Sequence, residues 1–143
     1  MKRLRHETRI NASPERVWQA LTDFAAYPEW NPFIRKAEGQ VREGARLEVR
    51  IQPSGARGMT FRPRLLRVTP GRELRWLGRL WLPGLFDGEH VFRVEPQEQG
   101  GVNFVQEETF RGVLAPLLAK SLDRDTLRGF REMNEALKAR AEG

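Results

Sequence analysis

Residues Leu114–Arg140 read LAPLLAKSLDRDTLRGFREMNEALKAR. Apolar or small uncharged side chains recur here at steps of three or four, the spacing that keeps side chains on one face of a helix. This stripe consists of Leu114, Leu118, Leu122, Thr126, Phe130, Met133 and Leu137. The opposite face carries Arg124, Arg128, Arg131, Glu135 and Lys138. The pattern predicts one amphipathic C-terminal helix, about 40 Å long at 1.5 Å per residue. Its stripe needs a large apolar partner, and the preceding sequence offers strands.

The chain begins with one predicted strand and two short helices. Over Arg3–Asn11, charged residues alternate with Leu4, His6, Thr8 and Ile10. A strand with one face toward water shows this alternation. The next residues favour the start of a helix. Ser13 can cap the helix, Pro14 suits its first position, and the carboxylate of Glu15 is favoured near its positive N-terminal end. The aromatic-rich segment Phe24–Phe33 follows, and its two prolines prevent a long helix. We expect this segment to be buried.

Six further strands are expected before the C-terminal helix. They are Ile34–Val41, Leu47–Ile51, Gly58–Thr69 with a break at Pro63, Glu73–Leu82, Phe86–Val94 and Val102–Phe110. Because short turns join them, consecutive strands must be antiparallel. One curved sheet of about seven strands must then cover both the early helices and the last one. We predict an α+β fold and a single domain over residues 1–143, since this length usually forms one domain.

The composition excludes several functional classes. The chain has no cysteine, which rules out disulfides, thiolate catalysis and cysteine-bound metals. His6 and His90 lie far apart without a second ligand at metal spacing, so we expect no metal and no cofactor. No segment reaches the roughly 18 apolar residues of a membrane span, and no apolar stretch follows the basic N-terminus as in a secretory signal. We expect a cytoplasmic protein without stable membrane insertion.

The net charge of +6 and the isoelectric point near 10.7 raise the possibility of a nucleic-acid or ribosomal surface. Only four of the 25 basic residues are lysines, and the arginines are interspersed with acids along the chain. Such mixing is typical of a solvated surface, because binding of nucleic acid favours clustered charge. We therefore expect no specific nucleic-acid partner.

Several segments share one order and spacing with a known group of proteins. They are Ile10–Trp18, Leu21–Asp23, Tyr27–Phe33, Leu74–Gly78, Gly88–Phe92 and Glu108–Gly112. Together they resemble the SRPBCC (START-like) superfamily, above all its small bacterial polyketide cyclase/dehydrase-like members. The resemblance implies a helix-grip fold, in which the curved sheet wraps round the long C-terminal helix and leaves a cavity between them. It implies less about activity, because relatives include lipid carriers, aromatase/cyclases, chaperone activators and coenzyme Q-binding proteins.

Three polar residues lie on strand faces that are otherwise apolar. If Phe92 pairs with Phe104, His90 lies opposite Gln106; a shift of two residues places Glu108 opposite His90 instead. Burial of an unpartnered carboxylate costs several kcal/mol, so Glu108 should be hydrogen-bonded, paired with a cation or protonated. These side chains are either a structural group in a filled core or the polar anchor of a ligand site.

The expected cavity combines the inward faces of the strands, the aromatic segment and the C-terminal helix. Its candidate ligand-binding residues are Phe24, Tyr27, Trp30, Phe33, Phe61, Trp76, His90, Phe92, Phe104, Gln106, Glu108, Thr126, Gly129, Phe130 and Met133. Gly129 costs the helix roughly 1 kcal/mol relative to alanine. Its missing side chain either lets the sheet approach or leaves space for a ligand.

The hairpin tip Trp81–Phe86 is unusually apolar for an exposed turn. It either packs back on its own sheet, covers the mouth of a cavity, touches a membrane or joins two copies in a homodimer.

Three functions follow from these patterns. The first is binding of a small hydrophobic ligand of lipid, polyketide or aromatic type. The second is a cyclase or dehydratase that uses His90 and Glu108 for proton transfer. The third is an interaction module for a chaperone, the ribosome or quinone-related membrane machinery.

Overall fold

The computed structural model describes residues 1–79 and 82–143. Its strands are β1 Lys2–Ile10, β2 Ile34–Glu38, β3 Glu48–Ile51, β4 Met59–Phe61, β5 Arg64–Thr69, β6 Glu73–Arg79, β7 Asp87–Pro96 and β8 Val102–Arg111. Its α-helices are α1 Pro14–Thr22, α2 Tyr27–Trp30, α3 Ala119–Ser121 and α4 Leu127–Glu142. Two 3₁₀ turns, Phe24–Ala26 and Pro116–Leu118, and one π-helical turn, Leu122–Thr126, complete these elements.

The strands form two antiparallel sheets that meet near Pro63. One sheet has the order β1-β8-β7-β6-β5 and the other the order β2-β3-β4. Backbone hydrogen bonds connect the two sheets: Leu47 donates to Pro63 at 2.8 Å, and Leu65 donates to Ala45 at 2.9 Å. The predicted strand Gly58–Thr69 is therefore two strands, β4 and β5, separated at the proline. The α+β helix-grip fold is confirmed; the described residues form eight strands in two sheets, rather than one sheet of about seven strands.

The pairing of β7 with β8 follows the second of the two registers considered from the sequence. His90 lies opposite Glu108 and Phe92 opposite Gln106, so the pairing of Phe92 with Phe104 is wrong. The observed register leaves residues 97–101 for the turn, whereas the other register would leave a longer one. Gly100 and Gly101 adopt positive φ in this turn, at 93° and 74°.

The predicted long C-terminal helix is present over residues 116–142, but its first half departs from regular α-helical geometry. Pro116 opens a 3₁₀ turn, and the π-helical turn Leu122–Thr126 changes the helical phase before α4 begins. Leu118 consequently stays 37% exposed instead of packing beneath the sheet. The side chain of Leu122 lies outside the described part of the chain, as do Leu80 and Trp81, where strand β6 was expected to continue.

The second half of the predicted apolar stripe forms the core. Phe130, Met133 and Leu137 of α4 are fully buried between the helix and the sheet. Arg131 and Glu135 are exposed on the other side of α4, as the charge pattern predicts. The helix lies mainly along β1 and also packs against α1. The inward-facing residues of the strands and the apolar face of α4 thus pack together in one apolar layer.

Tyr27 anchors the aromatic segment beneath α1. Its ring packs edge-to-face on Phe24 and Trp30, with centroids 5.4 and 5.2 Å apart, and its hydroxyl donates a hydrogen bond to the Leu21 carbonyl. Burial raises the pKa of the Tyr27 hydroxyl far above its ordinary value, because the phenolate would lose its hydration. The neutral hydroxyl is therefore the form that the fold requires.

We expect stability to fall as the pH rises above about 10, the ordinary pKa of tyrosine. Above that pH the unfolded chain releases the Tyr27 proton and the folded chain keeps it, so ionisation favours unfolding. Tyr27 is the only tyrosine in the chain, so tyrosinate absorbance reports on it directly. The absorbance should appear together with the loss of helical circular dichroism. Ionisation while the helical signal is intact would contradict this account.

Gly129 settles one question that the sequence left open. A Cβ atom added at this position would overlap the ring of Phe33, whose Cγ would lie only 2.9 Å away. Phe33 is itself buried, and its ring packs edge-to-face on Phe130 with centroids 5.7 Å apart. The missing side chain therefore makes room for Phe33 from the segment that precedes β2, so that this segment approaches α4 closely.

We expect Gly129→Ala to lower the free energy of unfolding by up to about 2 kcal/mol. Overpacking of a buried contact costs about 1–3 kcal/mol, which exceeds the gain of about 1 kcal/mol in helix propensity. Denaturant titration measures the change. The same substitution in a Phe33→Leu background should cost clearly less, because the overlapping ring is gone. A more stable Gly129→Ala protein would show that Phe33 does not need this space.

Candidate functional site

A cavity of about 250 Å³ lies between the three-stranded sheet, the ends of β6–β8 and the start of the C-terminal helical region. Most of its wall is apolar or aromatic, contributed by Phe33, Val49, Ile51, Pro53, Ala56, Met59, Phe61, Pro63, Trp76, Gly78, Phe86, Gly88, Phe110 and Leu118. Its polar or charged lining residues are Arg57, Glu108, Asp125 and Thr126. Such a wall suits a mostly apolar ligand with few polar groups.

A pair of glycines helps to open this cavity. Gly78 and Gly88 lie directly opposite each other on β6 and β7, and both line it. Their neighbours along the same inward face are bulky, with Trp76 on β6 and Phe86 preceding β7. The absence of two side chains at adjacent positions therefore leaves space in a face that is otherwise filled.

The structure brings five of the predicted ligand-binding residues to the cavity wall. They are Phe33, Phe61, Trp76, Glu108 and Thr126. Although they come from distant parts of the sequence, the curvature of the two sheets places them round one space. Their role in ligand binding remains a proposal.

The other ten predicted ligand-binding residues do not line this cavity. His90, Phe92, Phe104, Gln106, Gly129, Phe130 and Met133 lie deeper, in the packed layer between the five-stranded sheet and α4. Phe24, Tyr27 and Trp30 belong to the aromatic cluster near α1 and α2. Phe24 also borders a separate surface depression beside β2. Residues of the packed layer can affect a ligand only through side chains that reach the cavity.

A chain of polar side chains runs from the cavity wall through this packed layer. His90 Nδ1 lies 3.3 Å from Glu108 Oε1, and His90 Nε2 lies 2.9 Å from Gln106 Oε1. Gln106 Nε2 donates to Asn134 Oδ1 at 2.8 Å. Asn134 Nδ2 in turn lies 3.4 Å from the His6 carbonyl and 3.3 Å from Thr8 Oγ1. Glu108 is thus the member of this chain that reaches the cavity.

Glu108 occupies a tightly defined position. It is 9% exposed, and a Cβ atom added at Gly88 would lie 2.8 Å from its Oε2. The same addition at Gly78 would find its nearest neighbour, Pro63 Cβ, at 3.8 Å. Gly88 therefore makes room for the Glu108 carboxylate, whereas the missing side chain at Gly78 leaves space that no other side chain fills.

The loop that contributes Pro53, Ala56 and Arg57 to the cavity is tied to α4 through Ser54. Arg128 Nε donates to Ser54 Oγ at 3.1 Å, and Arg128 Nη2 donates to the Ser54 carbonyl. Ser54 Oγ also donates to Glu132 Oε2 at 2.9 Å. We call these contacts between Ser54, Arg128 and Glu132 the Ser54 clasp. It holds one side of the cavity against the helix.

Sequence reasoning did not identify several residues that shape this site. Ser54 lies in the sequence between two predicted strands, and Arg128 lies on the charged face of the predicted helix, so neither pattern indicates a contact between them. Asn134 gave a clearer signal, because it lies four residues after Phe130, next to the apolar stripe. A polar residue at such a position indicates a buried hydrogen-bonding partner, here Gln106.

A metal site and a membrane-spanning helix each place requirements on the described residues. Within residues 1–79 and 82–143, no three histidine, aspartate or glutamate side chains lie close enough together to hold a metal ion. In the same part of the chain, no helix is both long and apolar enough to cross a membrane.

A curved sheet that grips a helix beside a largely apolar cavity defines the class of helix-grip proteins. Within this class, the chain belongs to the polyketide cyclase/dehydrase and lipid transport family, whose sequence pattern it matches over residues 1–142. No curated protein matches the sequence significantly.

Solved structures with the same fold include proteins of several kinds. The ZhuI aromatase/cyclase from Streptomyces sp. R1128 is 17% identical, with a TM-score of 0.78 and coverage of 99% of this chain and 93% of that one. TTHA0849 from Thermus thermophilus is 19% identical, with a TM-score of 0.76 and coverage of 99% and 97%. The di-domain ARO/CYC BexL is 15% identical, with a TM-score of 0.80 and coverage of 99% and 50%. These low identities establish a shared fold.

We expect Arg128→Leu to loosen the loop beside the cavity, because it removes the arginine side of the Ser54 clasp. Hydrogen–deuterium exchange should become faster at residues 53–58 and stay unchanged in β7 and β8. Arg131→Leu is a matched control, since Arg131 is exposed one turn away on the same helix. Equal exchange at residues 53–58 in both variants would show that the clasp does not hold the loop.

Proposed function

We propose that the protein binds a small, mostly apolar ligand in the cavity, and that Glu108 anchors a hydrogen-bonding group of that ligand. The carrying observation is one buried carboxylate at the wall of an aromatic and aliphatic cavity. Burial of a carboxylate costs free energy unless a partner compensates it. A ligand hydroxyl or amine at Glu108 would supply such a partner while the ligand's apolar body contacts the remaining wall.

The dimensions of the cavity favour a compact ligand. Its volume of about 250 Å³ lies just below the roughly 300–1,000 Å³ of typical small-molecule sites. Several aromatic rings, including Phe33, Phe61 and Trp76, surround this space. Flat ring systems pack well on such rings, so a ligand with one or two rings suits the site better than a long acyl chain.

The family supports a hydrophobic ligand in general terms, since its description includes both polyketide cyclase/dehydrase and lipid transport. The two structural neighbours described as aromatase/cyclase or ARO/CYC support a ring-containing ligand, although they share only the fold with this chain.

We expect Glu108→Gln to weaken binding of 2-naphthol by about 5- to 10-fold and to leave binding of naphthalene nearly unchanged. A hydrogen bond to a charged group contributes about 1.5–3 kcal/mol and one to a neutral amide oxygen about 0.5–1.5 kcal/mol, and only 2-naphthol carries a hydroxyl. Trp76 lies in the cavity wall, so quenching of tryptophan fluorescence provides the binding signal.

Glu107→Gln is the matched control for this experiment. Glu107 is adjacent on β8 but points to the opposite face, where it pairs with Arg5 at 3.2 Å. It should bind both probes like the wild type. Equal loss of both probes in Glu108→Gln would indicate a damaged cavity, and failure of the wild type to prefer 2-naphthol would refute the anchoring role.

A second candidate function is proton transfer to or from the bound ligand by Glu108. The observation in its favour is the distance of 3.3 Å between Glu108 Oε1 and His90 Nδ1. Because His90 is fully buried and does not line the cavity, it would act through Glu108 rather than touch the ligand. Turnover of a cyclisable polyketide analogue that disappears in Glu108→Gln would favour this function over binding alone.

A further inference from the structure

The hydrogen-bond directions in the buried polar chain are set at one end. The His6 carbonyl can only accept a hydrogen bond, so the Asn134 group that faces it must be the amide nitrogen. Asn134 Oδ1 then points the other way and accepts from Gln106 Nε2 at 2.8 Å. A flipped Asn134 amide would place two carbonyl oxygens against each other.

The same constraint passes from Gln106 to the histidine. Because Gln106 Nε2 is used on Asn134, its oxygen faces His90 Nε2 at 2.9 Å and can only accept. His90 Nε2 must therefore carry a proton. If the imidazole is neutral, Nδ1 is then its unprotonated nitrogen.

We propose that the His6 carbonyl fixes the tautomer of His90 through Asn134 and Gln106, so that Nδ1 is the unprotonated nitrogen of the neutral ring, on the side of Glu108 and the cavity wall. Nδ1 lies 3.3 Å from Glu108 Oε1, but Oε1 is not aligned with the in-plane direction of this nitrogen. The tautomer therefore determines which side of the imidazole is turned toward the carboxylate.

The surroundings of His90 leave this arrangement undisturbed. The side chains of His90, Gln106 and Asn134 have no exposed surface. Aromatic rings pack against the imidazole, with centroids at 4.4 Å for Phe92, 5.3 Å for Phe130 and 5.4 Å for Trp76. Nδ1 itself has no aligned hydrogen-bond partner among the described residues. Glu108 is the acid within reach of that nitrogen.

Asn134 is consequently a positioning residue for the site, although it does not line the cavity. Asn134 orients the Gln106 amide through a hydrogen bond, and Gln106 in turn orients the His90 imidazole. The imidazole then determines the surroundings in which Glu108 would contact a ligand. With Nδ1 unprotonated, Glu108 receives no hydrogen bond from the imidazole, so its oxygens remain acceptors for a ligand hydroxyl. This statement about ligands rests on the proposed function, whereas the tautomer of His90 does not.

Nuclear magnetic resonance of ligand-free protein labelled with ¹⁵N-histidine tests the tautomer directly. His6→Gln leaves His90 as the only imidazole and keeps the backbone carbonyl at position 6. Long-range ¹H–¹⁵N correlations should show a proton on Nε2 at every pH at which the protein is folded. A neutral ring with its proton on Nδ1 alone would overturn the proposal.

Asn134→Leu tests the positioning role. Without Asn134 the Gln106 amide is free to turn and donate to Nε2, so a tautomer with the proton on Nδ1 should appear. Thr8→Val is the matched control, because it removes the second acceptor of Asn134 but keeps the His6 carbonyl, and it should retain the wild-type spectrum. An unchanged tautomer in a folded Asn134→Leu protein would refute the role of Asn134.

If Asn134→Leu does not fold, Gln106→Leu offers a second test, since it removes the acceptor of the Nε2 proton and should shift the tautomer in the same direction. Failure of the tautomer prediction and failure of ligand binding are separable. The former is measured without any ligand, and the latter by titration with 2-naphthol.

Discussion

The packing of the Phe33 ring over Gly129 is the contact on which the rest of the arrangement depends. It joins the segment before the three-stranded sheet to the C-terminal helix without a side chain between them. The same ring forms part of the cavity wall, so the closure of the fold and the shape of the site are set together. A larger residue at position 129 would push this ring toward the cavity.

The site combines two environments of different character. On the helix side, side chains without exposed surface hold one another in fixed hydrogen-bond directions, beginning at a backbone carbonyl that cannot reverse its role. On the open side, aromatic and aliphatic groups leave a space bordered by a loop that one arginine holds in place. Glu108 is where these environments meet. His90 lies behind its carboxylate at 3.3 Å, and the cavity lies in front of it.

Strand alternation predicted that His90, Gln106 and Glu108 point inward, and helical periodicity predicted the buried residues from Phe130 to Leu137. These properties depend on local periods of two and 3.6 residues, which the sequence displays directly. The register of β7 and β8 depends on turn geometry, and the π-helical turn before α4 changes the helical phase; neither is visible in periodicity. The position of the cavity depends on how two sheets curve, so Arg57 and Ser54 could not be placed from sequence patterns.

The adjacent glycines of β6 and β7 give the site a further property. A side chain at Gly78 would enter the cavity with only ordinary van der Waals contacts, whereas one at Gly88 would collide with the carboxylate. In the proposed binding function, the size of the accepted molecule and the chemistry of its recognition are therefore governed by different residues. Within this scaffold, selectivity for size is open to redesign or evolutionary drift at a single strand position, while the acid and its supporting side chains stay as they are.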